Sequence, residues 1–339
     1  MSLDPRRLIF LIGPPRGGTT LLSRMLHAHP QIYAGPEPHL ITPLVHLGYF
    51  GRVQKAPYDP VQTARAHRAL IASLPAGEQD YLDAMRAMPD TLYGRLLQSS
   101  GRAYLVDKTP AYALVLPTLL RLYPRARYLV LTRHPFAVWC SYAKTFFDDD
   151  WAFAHAHNPV LERYVPMIAS LLRTPPPGTD IHALTFEALL ADPGSELRRI
   201  CDWLGLPPSP DMQRYGASAP PPPGLGDPAT IHREIEPEPS HATAWAAPLR
   251  GRPERRAMLA RMVRHLDDED LHAWGTPREE LWAPLSGPHD PPRRRLDRYL
   301  LERKALLILR RRLRGSRAAR ALDRARFAID VLLRDDGHS

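Results

Sequence analysis

The stretch GPPRGGTT, residues 13–20, contains the residue types of a phosphate-binding loop. The usual pattern is G-x-x-x-x-G-K-[ST], in which Gly13 and Gly18 fill the glycine positions here. Thr19 stands where the lysine is expected, and Arg16 lies inside the loop instead. Small residues before a helix let backbone N–H groups surround an anion, and the helix N-terminus adds a favourable partial charge. The loop therefore predicts an anion site whose cation is Arg16.

The missing lysine argues for a particular kind of nucleotide. A kinase or ATPase uses that lysine on the β- and γ-phosphates, with Mg²⁺ held by the Ser/Thr. A nucleotide with one 5′-phosphate group needs neither. PRGGTTLLSRMLHAHP, residues 15–30, resembles the 5′-phosphosulfate loop of sulfotransferases that use 3′-phosphoadenosine 5′-phosphosulfate (PAPS). The alternative is a glycine turn without a ligand. The resemblance implies that the donor is bound by Pro15, Arg16, Gly17, Gly18, Thr19 and Thr20.

A second segment, RHPFAVWCSY at 133–142, contains residue types that could bind the 3′-phosphate at the other end of such a nucleotide. Arg133 ends an apolar run and Ser141 follows eight residues later. In the sulfotransferases that this chain resembles, an arginine and a serine at this spacing bind the 3′-phosphate. A guanidinium can contact a phosphate with two N–H groups, and a hydroxyl can complete the cradle. The alternative is an arginine near a helix N-terminus followed by a buried serine.

Two further segments carry candidates for the chemistry. Glu37, in GPEPHL, lies 21 residues after Arg16, the offset of the general-base glutamate in the tyrosylprotein sulfotransferases that this chain resembles. Sulfotransferase domains of polyketide synthases have a similar Glu-x-His, which here is Glu37 and His39. The flanking prolines favour a fixed, extended loop. Lys108, in VDKTPAYA, follows a predicted strand, and its DKTP resembles the same polyketide-type domains. The alternative is that these polar side chains lie on the protein surface and have no catalytic role.

Two late segments extend the resemblance. Residues 185–207 are similar to a strand–helix segment of the family, and residues 226–245 are similar to a loop that closes over the nucleotide in polyketide-type members. Gly226, Asp227 and His232 match that loop, which implies that Gly226 and Asp227 contact the nucleotide. A surface linker is the alternative for the proline-rich stretch 218–228.

The resemblance implies a PAPS-dependent sulfotransferase that needs no metal. Glu37 would take the proton of an acceptor hydroxyl, with His39 assisting, although the sequence leaves open which of the two is the base. Arg16 and Lys108 would stabilise developing charge, and adenosine 3′,5′-bisphosphate would leave. The acceptor stays open, with a hydroxyl on a carrier-bound acyl chain among the candidates. Two alternatives remain, a small-molecule P-loop kinase and an inactive nucleotide-binding or scaffold protein.

The elements that would position these residues alternate along the chain. Apolar runs predict strands at 7–13, 103–107, 127–133 and, more weakly, 181–189, and helical spacing predicts helices at 19–29, 59–74, 111–123, 136–147, 160–172 and 194–204. This alternation is typical of an α/β fold with a parallel sheet flanked by helices. Ligands bind at the carboxyl ends of such strands, where the candidate segments fall.

Charge separates the C-terminus from the rest of the 339 residues. Residues 291–339 hold 15 Lys and Arg against 6 Asp and Glu, while the remainder holds 30 of each, so the net +9 belongs to the tail. We predict a sulfotransferase domain at 1–285 and a basic helical extension at 286–339. The balanced body argues against a nucleic-acid partner. Packed helices, an anionic membrane surface and an acidic partner are three open roles for the tail.

The sequence also carries an expectation about the compartment. The N-terminal apolar run LIFLIG is six residues, too short for a membrane span or a signal sequence. The two cysteines, Cys140 and Cys201, have no metal-binding or redox spacing. We therefore expect a cytoplasmic protein.

Overall fold

Five parallel strands form one sheet at the centre of the described chain. The computed structural model describes residues 3–45, 60–218, 234–249 and 251–285. The strands are β1 (Leu8–Ile12), β2 (Ile32–Ala34), β3 (Tyr104–Asp107), β4 (Arg127–Thr132) and β5 (Asp180–Thr185), in the order β2-β3-β1-β4-β5. The central strand β1 is buried along its whole length, as expected for a strand covered on both faces. The predicted α/β fold with a flanked parallel sheet is confirmed.

Twelve α-helices lie within the described residues. They are α1 (Thr19–His27), α2 (Ile41–Val45), α3 (Pro60–Ser73), α4 (Glu78–Ser100), α5 (Leu116–Leu122), α6 (Pro135–Phe147), α7 (Trp151–His157), α8 (Val160–Arg173), α9 (Phe186–Ala191), α10 (Pro193–Leu204), α11 (Pro253–Val263) and α12 (Asp268–Trp274). A 3₁₀ helix, Pro110–Val115, follows β3 and leads directly into α5.

Alternate residues of β1 pack into two different layers. Ile9 and Leu11 join the apolar cluster that includes the buried face of α1, formed by Leu21, Leu22, Met25 and Leu26. Phe10 points the other way, and its ring contacts the rings of Tyr112, Tyr123 and Tyr128 at centroid distances of 5.3–6.2 Å. Both layers bury large apolar side chains, which provides the main driving force for holding the helices on the sheet.

The predicted strands and helices are largely confirmed, with one error at 181–189. The strand ends at Thr185 and α9 begins at Phe186. The Thr185 hydroxyl accepts a hydrogen bond from the Ala188 N–H at 3.1 Å, which is an N-cap contact that starts a helix. The apolar spacing of this stretch fits either element, so the cap decides the boundary. The predicted helix at 111–123 is a 3₁₀ turn followed by α5.

The chain divides into two compact units. One comprises Met1–Val45 and Ile71–Gly287, and it contains the sheet. The other comprises His46–Leu70 and Pro288–Ser339, of which residues 60–70, part of α3, are described. The basic tail 291–339 lies outside the described residues, and so do residues 219–233, which include the proline-rich stretch 218–228 except for its first residue. The helices predicted for the tail and the nucleotide contacts predicted for Gly226 and Asp227 therefore stay predictions. Within the described ranges, no helix combines the length and the apolar character that a membrane crossing requires.

Candidate active site

The loop that joins β1 to α1 is shaped by two glycines at which a side chain would collide with its neighbours. A Cβ on Gly13 would lie 2.5 Å from Thr19 Cγ2 and 2.8 Å from the Leu131 carbonyl oxygen. Gly18 has φ 91°, in the left-handed region, and a Cβ there would lie 2.2 Å from the ring of Phe186. The two glycines of the motif therefore permit close packing of the loop against β4, α1 and α9.

Thr19, which replaces the motif lysine, is part of this packing. It is buried, and its methyl group fills the space beside Gly13. A lysine at this position would have to leave that packed interior to reach a phosphate. The cation at this side of the loop is Lys108, which comes from the end of β3 instead, and its Nζ lies 3.4 Å from Thr20 Oγ1.

Arg16, at the tip of the loop, is held from two sides by residues predicted to bind the nucleotide. Its Nε donates to Ser141 Oγ at 3.0 Å, and its carbonyl oxygen accepts from Arg133 Nη1 at 3.1 Å. Arg16 also has φ 65°, an uncommon conformation for a non-glycine residue. The structure thus brings Arg16 together with Arg133 and Ser141, from two segments that are far apart in sequence.

Arg133 is fixed by several contacts and keeps one N–H without a protein partner in the described chain. Nη2 donates to the His241 carbonyl at 2.9 Å, and the guanidinium carbon lies 4.4 Å from the centroid of the Phe186 ring. Nε is buried and makes no hydrogen bond within the described residues. Burial lowers the pKa of Arg133 to about 10. A buried cation with an unused donor is suited to an anionic ligand, since an unsatisfied buried donor is costly.

Glu37 is the centre of a three-residue cluster at the carboxyl edge of the sheet. Lys108 Nζ forms an ion pair with Glu37 Oε1, and His39 Nε2 lies 3.3 Å from Glu37 Oε2. The side chain of Lys108 is 3% exposed, that of Glu37 16% and that of His39 42%. The cluster therefore runs from a buried lysine to a histidine at the surface, and one Glu37 oxygen contacts each.

A second layer of side chains supports the loop and the arginine. Glu187 Oε1 accepts a hydrogen bond from the His134 N–H at 3.0 Å, and the His134 ring stacks on Trp245 with centroids 4.5 Å apart. Burial raises the pKa of Glu187 and lowers the pKa of His134 to about 4. Phe186 lies against both Gly18 and Arg133. These residues support the site without being predicted as part of it.

The sequence carries a weak signal for part of this supporting layer. Thr185-Phe186-Glu187 follows an apolar run, and a threonine at that point is a common helix start. A prediction that the strand ends at Thr185 would have placed Phe186 and Glu187 at the carboxyl edge of the sheet. His241 and Trp245 have no comparable signal.

Among the predicted site residues, Gly226 and Asp227 lie outside the described residues, and the half-buried Pro15 and the buried Gly17 lie in the loop itself.

Comparison with known proteins identifies the family of this chain. Residues 8–211 match the family model described as "Sulfotransferase family". The chain belongs to the sulfotransferase family. It is 31% identical over 232 residues to nodulation protein NoeE of Sinorhizobium fredii, a match that covers 61% of this chain and 52% of NoeE. It is 34% identical over 128 residues to mouse protein-tyrosine sulfotransferase 1, covering 37% of this chain and 31% of the mouse protein.

A solved structure of a sulfotransferase domain has a similar fold. The sulfotransferase domain of the Synechococcus PCC 7002 olefin synthase is similar with a TM-score of 0.50 and 26% identity, covering 71% of this chain and 88% of that domain. The chain spans about half of NoeE and about a third of the mouse enzyme. Family and fold together support sulfuryl transfer over the kinase alternative. In the part of the chain that the structure describes, no three His, Cys, Asp or Glu side chains are grouped as metal ligands.

Proposed function

We propose that this sulfotransferase moves the sulfuryl group of PAPS to the hydroxyl of an acceptor, with Glu37 as the general base. The observation that carries the proposal is the Lys108–Glu37–His39 cluster beside the loop of residues 13–18. It places a carboxylate, a buried ammonium and the N-terminus of α1 next to one another. A proton acceptor on one side and fixed cations on the other are the groups that an in-line displacement at sulfur requires.

The donor would lie along the loop. Backbone N–H groups at the start of α1, together with Thr20 and Arg16, would hold the 5′-phosphosulfate. Arg133 and Ser141 would hold the 3′-phosphate. The unused Nε of Arg133 supports this assignment. Ser141 supports it as well, because its hydroxyl now accepts from Arg16 and would be released when Arg16 turns to the donor.

The chemistry follows from the charges. The acceptor oxygen forms a bond to sulfur while the bond from sulfur to the bridging oxygen of the 5′-phosphate breaks, and adenosine 3′,5′-bisphosphate leaves. Glu37 receives the acceptor proton. Lys108 and Arg16 stabilise the charge that develops on the bridging and sulfuryl oxygens. His39, the most exposed member of the cluster, contacts the second Glu37 oxygen and orients the carboxylate.

The acceptor is a hydroxyl compound, and we propose a carrier-bound acyl chain first. The similar domain of the olefin synthase belongs to a synthase, and this chain covers most of that domain. The partial similarity to a protein-tyrosine sulfotransferase makes a peptide tyrosine the second choice. A protein that meets its donor and acceptor in the cytoplasm fits this proposal.

Replacement of Glu37 tests the role of the base. Glu37→Gln keeps the size and removes the proton acceptor, so turnover should fall by about 10²–10⁴-fold while adenosine 3′,5′-bisphosphate still binds. His39→Ala is the matched variant and should lose much less, because it removes only an orienting contact. Transfer from PAPS to a panel of phenol, sugar and carrier-bound acyl alcohols measures both. An active Glu37→Gln beside an inactive His39→Ala would assign the base to His39.

A further inference from the structure

A buried cluster below the site connects Lys108 to the loop that carries Glu37. Asp107 ends β3 immediately before Lys108, and the residue is 1% exposed. Oδ2 accepts hydrogen bonds from the hydroxyls of Tyr93 and Tyr112, the latter at 3.1 Å, and Oδ1 accepts from Thr109 Oγ1 at 2.9 Å. The hydrogen bonds given to this carboxylate within the described chain come from three hydroxyl groups. Three donors therefore hold this carboxylate at the end of β3.

Tyr112 differs from the other two donors because it makes a second contact. Its hydroxyl oxygen accepts the Ile41 N–H at 3.0 Å, while its proton goes to Asp107. A phenol has one proton to donate and lone pairs to accept, so both bonds can form at once. Ile41 is the first residue of α2, where N–H groups have no partner within the helix. The Tyr112 hydroxyl satisfies one of them.

The contact at Ile41 fixes the loop that precedes it. His39 has φ 50°, an unfavourable conformation for a non-glycine residue that persists only where the surroundings determine it. Glu37 lies between two prolines, which limit its backbone freedom. The chain from 36 to 41 is therefore stiff, and its C-terminal end is attached to Tyr112. Movement of Ile41 would carry His39 and Glu37 with it.

We propose that Tyr112 is a positioning residue that sets the distance between Glu37 and Lys108. It joins the Glu37 loop, through Ile41, to the strand end that carries Lys108, through Asp107. Burial raises the pKa of Asp107 to about 6, so the carboxylate is mostly ionised at neutral pH and accepts the hydroxyl protons. This inference rests on the proposed function, in which the two ends of the link hold the base and the main cation.

Three tyrosine-to-phenylalanine variants separate positioning from stability. Tyr112→Phe removes both contacts. Tyr93→Phe removes a donor to the same Asp107 oxygen but leaves Ile41 bonded. Tyr123→Phe removes a buried hydroxyl that donates to Asp90 at 2.8 Å, and its ring packs on Phe10 as that of Tyr112 does. All three should lose thermal stability, which controls for the loss of a buried hydrogen bond.

Only Tyr112→Phe should lose turnover strongly. We expect kcat to fall by about 10–100-fold, since small misplacements of reacting groups have effects of this size. The affinity for adenosine 3′,5′-bisphosphate should stay within about threefold of the wild type. Tyr93→Phe and Tyr123→Phe should keep kcat near the wild-type value. A Tyr112→Phe enzyme with wild-type kcat, or an equal fall in Tyr93→Phe, would overturn the proposal.

Hydrogen exchange on the wild-type protein keeps the proposal testable if Tyr112→Phe does not fold. The Ile41 amide should be protected from exchange, because it is bonded to a buried hydroxyl. An Ile41 amide that exchanges as fast as a free peptide would overturn the link. Failure of the proposed function looks different, because the wild-type protein itself would then transfer no sulfuryl group from PAPS.

Discussion

Asp107 shows how one buried residue makes stability depend on pH. Desolvation raises its pKa from 3.8 to about 6, against the opposite effect of the Tyr93, Thr109 and Tyr112 hydroxyls. Between these two values the folded protein binds more protons than the unfolded chain. The free energy of unfolding contributed by this group therefore falls as pH rises through the window, and the deficit is complete above pH 6.

Asp107→Asn cannot titrate, so comparison with the wild type isolates this effect. The stability advantage of the wild type over Asp107→Asn should be greater at pH 4 than at pH 7 by about 2 kcal/mol. Urea unfolding at intervals between pH 4 and 7 measures the difference. Asp192→Asn is a control, because hydrogen bonds with Ser195 lower the pKa of Asp192, so its contribution is largely complete above pH 4 and should change little across this window. A difference in unfolding free energy between the wild type and Asp107→Asn that stays constant from pH 4 to 7 would contradict a raised pKa of Asp107.

At the scale of elements, the loop between β1 and α1 depends on space as well as backbone conformation. Gly18 and Gly101 both have positive φ, at 91° and 66°, but only Gly18 has neighbours that a Cβ would strike. Gly101→Ala should cost about 1–2 kcal/mol of unfolding free energy from the left-handed conformation. Gly18→Ala adds the collision with Phe186 and should cost about 1–3 kcal/mol more.

Chemical denaturation and nucleotide titration together test this pair of glycines. Gly18→Ala should also lose affinity for adenosine 3′,5′-bisphosphate, because Phe186 lies against Arg133 and would be displaced. Gly101, at the end of α4 and away from the loop, should leave that affinity unchanged. Equal costs for the two substitutions would show that the loop can move away from Phe186 with little effect.

Strands and helices could be predicted where local pattern and tertiary packing agree. β1, β3 and β4 are short apolar runs with a polar residue at the carboxyl end, and that pattern also places Lys108 and Arg133 near the loop. β2 has three residues, too few for a period to be visible. The 23-residue helix α4 contains Pro89 and has little separation of polar and apolar faces, so spacing did not indicate it.

The candidate site was predictable in its parts but not in its contacts. Residue type and position indicated Arg16 in the loop and Lys108 after a strand, and the resemblance to sulfotransferases indicated Glu37. No spacing indicates that Ser141 contacts Arg16, or that Tyr112 contacts Ile41, because these pairs are joined by the order of strands in the sheet. Long-range contacts between polar groups depend on that strand order, which no short stretch of the sequence indicates.

At the scale of the whole molecule, we predict that the basic segment 291–339 acts in docking. A chain ending at residue 290 should keep its activity on a small soluble acceptor and lose activity on a carrier-bound one. Electrostatic steering raises encounter rates and is screened by salt, so only the full-length chain should show a steep salt dependence. Unfolded or insoluble protein after truncation would instead show that the segment packs on the domain at 1–285.

Nucleotide binding tests the central claim most directly, because it needs no knowledge of the acceptor. Calorimetric titration of the full chain with adenosine 3′,5′-bisphosphate and with 5′-AMP, both in EDTA, isolates the 3′-phosphate. A charge-assisted contact from Arg133 with Ser141 is worth about 1.5–3 kcal/mol, so the bisphosphate should bind about tenfold or more tightly. Equal affinities for the two nucleotides, or binding of ATP with Mg²⁺ in place of the bisphosphate, would contradict a PAPS site.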